Sequence, residues 1–137
     1  MTSWRRAVGA VTAAGVVLAA VTLLALEGTE VVQLRSTTPE GGVRVTRAWI
    51  ADADGALWLE AANPERPFLR DVEAQPDVEL IRGGEVLQLR ARPVAGDAAH
   101  RKIRQLLAAK YGWADTWVGL LTDTSRSVAV RLEPRSP

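Results

Sequence analysis

The sequence contains no cysteine and only one histidine, His100. These shortages exclude disulfides, zinc-finger sites, thiol nucleophiles and most transition-metal sites, because the side chains that form them are missing. We therefore predict no metal site. His100 has no serine or aspartate partner at a recognisable spacing, and we interpret it as a solvated residue of a helix. The sequence also lacks a phosphate-binding GxGxxG or Walker loop.

An excess of charge of one sign is also missing. The chain has 17 basic and 16 acidic residues, and from Gly28 onward it has 15 of each. A nucleic-acid-binding protein needs a basic excess on one face, so we expect no nucleic-acid partner. The hydrophobic content of 47% is ordinary for a folded domain.

One long hydrophobic run stands at the beginning of the chain. Twenty residues without a charge, Ala7 to Leu26, reach about 30 Å as a helix at about 1.5 Å per residue, the thickness of a hydrocarbon core. This run predicts a transmembrane anchor over residues 1–27, with the lipid bilayer as the partner of residues 7–26. The remaining residues, 28–137, are long enough for one domain.

The residues before the run predict an orientation. Trp4, Arg5 and Arg6 are typical of a cytoplasmic end, which would leave the N-terminus in the cytoplasm and the domain outside. A cleaved signal peptide and a buried core helix are the alternatives. The run is longer than a signal-peptide core, and no small-x-small cleavage site follows it.

After the anchor, short β-branched segments alternate with turns, which predicts a mainly β domain with helices. Tight turns such as Gly83-Gly84 favour antiparallel neighbours in a closed or half-closed barrel. The predicted arrangement is a barrel of six strands and two helices, preceded by one transmembrane helix. Strands are expected at Glu30–Thr37, Val43–Ala51, Ala56–Ala62, Val78–Arg82, Glu85–Val94 and Ser127–Glu133, and helices at Phe68–Ala74 and Ala98–Tyr111, the latter capped by Asp97 and ended by Gly112.

Two groups of residues are candidates for binding. Arg44 and Arg47, with Thr46 between them, follow a glycine-containing turn on the second strand, where guanidinium groups can hold a phosphate. A solvated strand face is the alternative. Val43 and Val45 alternate with Arg44 and Thr46, as in a strand with one buried face.

The second group is aromatic and follows the second helix. Tyr111, Trp113 and Trp117 can stack on a planar cofactor or shape a substrate pocket. Ordinary core packing and contact with the membrane interface, where Trp is common, are the alternatives.

Three stretches together resemble a known family: VVQLRSTTPEGGVRVTRAWI, VEAQPDVELIRGGEVLQLRARPV and KYGWADTWVGLLTDTSRSVAVRLEP, which cover most of Val31–Pro134. Their order resembles that of the split-barrel flavin and deazaflavin oxidoreductases, in particular the deazaflavin-dependent nitroreductase branch. The resemblance implies an FMN-binding-type split β-barrel. The anchor lies outside it.

The resemblance also implies roles for individual residues. The hairpin that carries Arg44, Thr46 and Arg47 would hold the phosphate tail of the cofactor, and Gln75 would contact its ring. Tyr111 and Trp117 would line the substrate side, with Trp113 beside them. Arg126 matches an arginine that recurs before the last strand.

The implied function is reduction of an apolar acceptor, such as a quinone or nitro compound, with deazaflavin (coenzyme F-420) or FMN as cofactor. The alternative is a tethered barrel without a redox cofactor that binds a lipid-like ligand or docks on a membrane protein complex. The turn Pro39–Gly42 favours this alternative, because it lacks the basic residues that the family has there. By analogy with other split barrels, the domain is also expected to form a homodimer.

Overall fold

The computed structural model describes residues 2–136, so Met1 and Pro137, the outermost residues of the two predicted domains, lie outside the described residues. The six predicted strands are present. In chain order the elements are α1 (Thr2–Glu27), β1 (Val31–Thr37), β2 (Val43–Ala53), β3 (Ala56–Ala61), α2 (Pro67–Ala74), β4 (Asp77–Arg82), β5 (Glu85–Val94), α3 (Asp97–Tyr111), α4 (Trp113–Leu121) and β6 (Val128–Pro134).

Two details of the helices differ from the prediction. The described part of the domain has three helices rather than two, because the aromatic segment after Gly112 forms α4. Gly112, at φ 52°, separates α3 from α4, since it adopts a backbone conformation that L side chains rarely tolerate. Asp97 is the first residue of α3 and not its cap; Gly96 holds the cap position, and no side chain bonds the free amides there.

The strands close into an antiparallel barrel in the order β1-β2-β3-β6-β5-β4, which confirms the predicted split-barrel fold class. β2 changes partner along its length. Residues Val43 to Trp49 pair with β1, and Ile50 to Ala53 pair with β3. β2 and β3 diverge beside Val43 to Trp49. The edge of this half of β2 that faces away from β1 therefore has no described strand paired with it.

Two apolar clusters hold the fold together. The first fills the barrel, and α2 covers one of its ends with Phe68, Leu69 and Val72. The second lies between the outer wall of the barrel and the helices α3 and α4. Its members include Ala51, Trp58 and Ala129 from the strands, Ile103, Leu107 and Tyr111 from α3, Ala114 from α4 and Ala25 from α1.

The exposed face of β2 is the opposite of the one that its hydrophobic pattern predicts. Val43 and Val45 are 69% and 54% exposed, whereas Arg44 and Thr46 are half-buried. The reason is a buried carboxylate on α2: Arg44 Nε donates to Asp71 Oδ2 at 2.7 Å. The attraction of that charge turns the polar side of the strand inward.

α1 contains a segment, Arg6–Ala25, that is long and apolar enough to cross a membrane, with a mean hydropathy of 2.3. The helix does not end in a free tether, because Ala25 is fully buried in the second cluster. A Cβ on Gly28 would lie 2.6 Å from the carbonyl oxygen of Leu24, so the turn that leaves α1 requires glycine. Thus α1 is docked on the domain at its C-terminal end.

Candidate functional site

A cavity of about 390 Å³ lies where β2 and β3 diverge. Its volume is in the range of about 300–1,000 Å³ that is typical of small-molecule sites. In an antiparallel strand every second residue directs its N–H and C=O away from the paired neighbour, so this open edge of β2 also offers backbone groups. Contributions come from residues Thr46 to Trp49 of β2, Glu60 at the end of β3, Arg66 and Phe68 at the start of α2, and Val118 and Thr122 near the end of α4.

Two buried polar atoms belong to residues that line this cavity. Trp49 Nε1, a donor, and Glu60 Oε1, an acceptor, have no hydrogen-bond partner among residues 2–136. An unsatisfied buried polar group costs about 1–3 kcal/mol, so proteins rarely keep one without a reason. Because both residues line the cavity, one buried donor and one buried acceptor lie beside it.

A partly buried ion-pair network holds Glu60 in place. Its second oxygen, Oε2, accepts from Arg104 NH1 at 2.7 Å, and Arg104 NH2 donates to both oxygens of Asp115 at 2.8 Å. Burial lowers the pKa of Arg104, but the two carboxylates outweigh that effect and raise the pKa overall. One cation faces two anions, so the network keeps negative charge beside the cavity and favours a donor group on a ligand.

Tyr111 fixes the position of the Trp49 indole. The two rings are stacked, with centroids 4.4 Å apart and planes inclined by 10°. Tyr111 itself is anchored, because its hydroxyl accepts from the Ile50 amide at 3.0 Å and donates to the Glu30 carbonyl at 2.8 Å. Burial raises the pKa of the Tyr111 hydroxyl.

The structure brings two of the predicted cofactor residues, Thr46 and Arg47, to the cavity. Tyr111 lies behind the wall formed by Trp49. The other two aromatic residues lie away from the cavity: Trp113 is 58% exposed, and Trp117 Nε1 donates to Thr22 Oγ1 of α1 at 3.1 Å.

Arg44 and Gln75 lie apart from the cavity lining. Asp71, at 1% side-chain exposure, accepts from Arg44 at 2.7 Å and from the Ser36 hydroxyl at 2.8 Å. Arg44 therefore neutralises a buried carboxylate. Gln75 is exposed at the end of α2, where its amide bonds the Asp71 carbonyl at 2.8 Å. Cofactor binding by these two residues stays a prediction.

Most residues of the cavity were not predicted from the sequence, among them Trp49, Glu60 and Arg66. Glu60 is the only charged residue in the strand ALWLEA, and a carboxylate in so apolar a strand is a usable signal. Arg66 precedes Pro67, the first residue of α2, and its guanidinium makes no ion pair with the described residues. Trp49 carries no sequence signal of its own.

The fold also corrects the interpretation of His100. Its Nδ1 lies 3.0 Å from Ser127 Oγ, so the residue that precedes β6 supplies the serine neighbour that the local sequence lacks. Ser127 is only 6% exposed, which puts its hydroxyl out of reach of a substrate. The pair joins the first turn of α3 to the residue before β6.

Neither a protein-family model nor a curated protein matches the sequence. Solved structures do match. The heme storage protein HutZ from Vibrio cholerae aligns with a TM-score of 0.60 at 16% identity, covering 82% of this chain and 87% of that one. A candidate pyridoxamine 5′-phosphate oxidase from Listeria innocua aligns with a TM-score of 0.59 at 15% identity, covering 83% and 90%.

A third structure is that of FDR-A, a reductase dependent on reduced coenzyme F-420. It aligns with a TM-score of 0.56 at 21% identity, covering 74% of this chain and 93% of that one. Identities this low establish a shared fold and not a shared reaction. The chain therefore has the split-barrel fold of these proteins, as its resemblance to the flavin and deazaflavin oxidoreductases implied.

Proposed function

We propose that this chain is a membrane-anchored split-barrel oxidoreductase. It binds a flavin or deazaflavin in the cavity between β2 and β3 and reduces an apolar acceptor such as a quinone or nitro compound. The observation that carries the proposal is the pair of buried, unpartnered atoms at that cavity, Trp49 Nε1 and Glu60 Oε1. When bound, the cofactor supplies the hydride chemistry, and the protein supplies orientation and exclusion of water.

The two unpartnered atoms are of the donor and acceptor types that one edge of a flavin or deazaflavin ring needs. That edge carries an N–H group between two carbonyl oxygens. Glu60 Oε1 can accept from an N–H group, and Trp49 Nε1 can donate to a neighbouring carbonyl. Phe68, Leu107 and Val118 give the cavity apolar walls suited to the rest of a ring system.

The anionic tail of such a cofactor fits the arginine side of the cavity. Arg47 and Arg66 both line it, and Arg66 immediately precedes α2. Guanidinium groups bind phosphate by charge-assisted hydrogen bonds, and the N-terminus of a helix carries a partial positive charge. We assign Arg66 the main contact with the phosphate.

Titration of the full chain in detergent with FMN and with coenzyme F-420 tests this proposal, with tryptophan fluorescence as the readout. We expect one of the two to quench Trp49. Arg66→Ala should weaken binding roughly tenfold, the effect of losing one charge-assisted bond. Arg70→Ala is the matched control, since Arg70 is also exposed and lies on α2, four residues after Arg66. Absence of binding by both compounds would refute the proposal.

A second candidate is a non-catalytic module that binds a lipid-like ligand. Two observations favour it: the hairpin turn between β1 and β2 presents Glu40 instead of basic residues, and Asp71 neutralises Arg44. Both reduce the positive charge available to an anionic cofactor. A fluorescence response to a long-chain quinone or fatty acid, with none to FMN or F-420, would select this candidate.

We further propose that α1 anchors the chain in the bilayer, with the N-terminus in the cytoplasm and the domain outside. Support comes from the apolar segment Arg6–Ala25 and, for the orientation, from Arg5 and Arg6 at its N-terminal end. Proteolysis of intact cells should digest the domain, and the intact mass of the membrane-bound protein should include α1. A mature protein without α1 would identify a cleaved signal peptide instead.

A further inference from the structure

We propose that α4 is an interfacial helix that lies on the bilayer and inserts one face into it, so that the membrane contact extends beyond α1. This proposal rests on the membrane anchor of the proposed function and is independent of the cofactor. It comes from the exposed side of α4, the helix that the sequence analysis did not predict.

The exposed side of α4 is an apolar stripe. Trp113, Trp117, Leu120 and Leu121 follow the spacing i, i+4, i+7, i+8, which at about 100° per residue places them within an arc of about 100°. Such a stripe normally faces a protein core. Here Trp113, Leu120 and Leu121 are 58%, 76% and 52% exposed. The one acidic residue of the helix, Asp115, lies outside the arc, bound to Arg104.

The contact between α4 and α1 places this stripe at the depth of the membrane surface. Trp117 Nε1 donates to Thr22 Oγ1, and Thr22 lies in the last turns of the apolar segment. From Trp4 to Thr22 the helix rises about 27 Å at about 1.5 Å per residue, close to the roughly 30 Å of a hydrocarbon core. Trp4, which is 76% exposed, and the indoles of α4 therefore lie at the two opposite interfaces, where tryptophan is enriched.

The bilayer is the occupant that fits this face best. The stripe on α4 is next to the part of α1 where Leu23 and Leu24 are 59% and 62% exposed. The two helices therefore present apolar side chains at the same depth in the membrane. A stripe with tryptophan and leucine and no charge is typical of a helix that lies in the interface. The absence of charge on the stripe also predicts binding to zwitterionic lipid.

This placement brings the cavity close to the membrane. Val118, on the side of α4 away from Trp113, and Thr122, the residue that follows α4, line the cavity between β2 and β3. A helix that touches lipid with one side and the cavity with the other places that cavity beside the bilayer. The acceptor class that fits is therefore one dissolved in the membrane.

The absence of native cysteine allows a test by single labels. Leu120→Cys, Val16→Cys and Val86→Cys are each labelled with a nitrobenzoxadiazole fluorophore and reconstituted in phosphatidylcholine vesicles that contain nitroxide-labelled lipid. Val16 reports on the anchor, and Val86, on β5 and 51% exposed, is the matched apolar control on the barrel. We expect strong quenching at position 16 by deep nitroxide, at position 120 by shallow nitroxide, and little at position 86.

Three results would overturn the proposal in different ways. Quenching at position 16 with none at position 120 would leave the anchor in place and remove the interfacial helix. No quenching at either position would remove both. Self-quenching between labels at position 120, without quenching by lipid, would show that a second copy of the chain covers the stripe, which also contradicts the proposal.

Discussion

Both halves of β2 are part of one extended strand, but they differ in what lies along their edges. The second half, from Ile50, is paired with β3, and the other edge at Ile50 is covered by side chains: the Tyr111 hydroxyl bonds its amide and Lys110 Nζ bonds its carbonyl at 2.7 Å. The first half is paired with β1, and its other edge borders the cavity. Where both edges are satisfied the strand contributes stability, and where one edge is open it can bind a ligand.

Arg44 provides the strongest test of this division, because it lies in the open half yet binds a buried carboxylate. Arg44→Met leaves Asp71 with the Ser36 hydroxyl as its remaining described partner. We expect a loss of about 2 kcal/mol in the free energy of unfolding, below the 3–5 kcal/mol typical of fully buried pairs because Arg44 is 38% exposed. Urea unfolding measures the loss, and adding Asp71→Asn should restore part of it.

Affinity separates the two roles of Arg44. A structural role predicts that the folded Arg44→Met variant binds FMN or F-420 as the wild type does. A tenfold loss of affinity would instead make Arg44 a phosphate ligand, as the family resemblance implies.

Removal of one hydroxyl should weaken the closed half. Tyr111→Phe keeps the ring stacked on Trp49 but leaves the Ile50 amide without its bond. An unsatisfied buried amide costs about 1–3 kcal/mol, so we expect a loss of about 1.5 kcal/mol in the free energy of unfolding, measured by thermal or urea unfolding. Faster hydrogen exchange of the Ile50 amide should accompany the loss, and unchanged exchange would contradict the explanation.

Removal of one donor should act differently on the open half. Trp49→Phe keeps an aromatic ring against Tyr111 but deletes Nε1, which has no partner among the described residues. Stability should change by less than about 1 kcal/mol, because the lost apolar area is offset by removal of an unsatisfied group. Cofactor affinity, measured by calorimetry, should fall about fivefold. A large loss of stability with unchanged affinity would assign Trp49 to the core alone.

The smallest expected effect is a pH dependence beside the closed half. Arg82 bonds Glu30 and Asp52 at 2.6 and 2.9 Å. Hydrogen bonds from Arg82 lower the pKa of both carboxyls. Groups with lowered pKa values stabilise the fold above their unfolded pKa, near 4.5 for Glu30 and 3.8 for Asp52, and lose that contribution as pH falls through the folded values.

Arg82→Gln should therefore be less stable than the wild type at pH 7, by under about 1 kcal/mol because the groups are partly exposed. The difference should shrink on acidification below about pH 4.5. Unfolding at pH 7 and at pH 3 tests this. A difference that grows at low pH would contradict the sign of the effect.

Much of the fold could be predicted because its signals are local. The pair Gly83-Gly84 has φ values of 56° and 83°, which few other residues adopt, so that hairpin depends on two adjacent residues. The helix α4 was not predicted. Its exposed apolar residues follow a glycine, and such a sequence resembles a loop with aromatic residues. The inward-facing side of β2 was predicted wrongly, because Asp71, which attracts Arg44, lies 27 residues away along the chain.

The sequence by itself determined the strand order along the chain, the apolar length of α1 and the absence of cysteine chemistry, since each depends on composition or on neighbouring residues. The tertiary structure decided which side chains meet. Trp49, Glu60 and Arg66 form one cavity only because β2 leaves β3 at that point. Such a meeting depends on how distant segments pair, and side-chain periodicity within a segment carries no information about it.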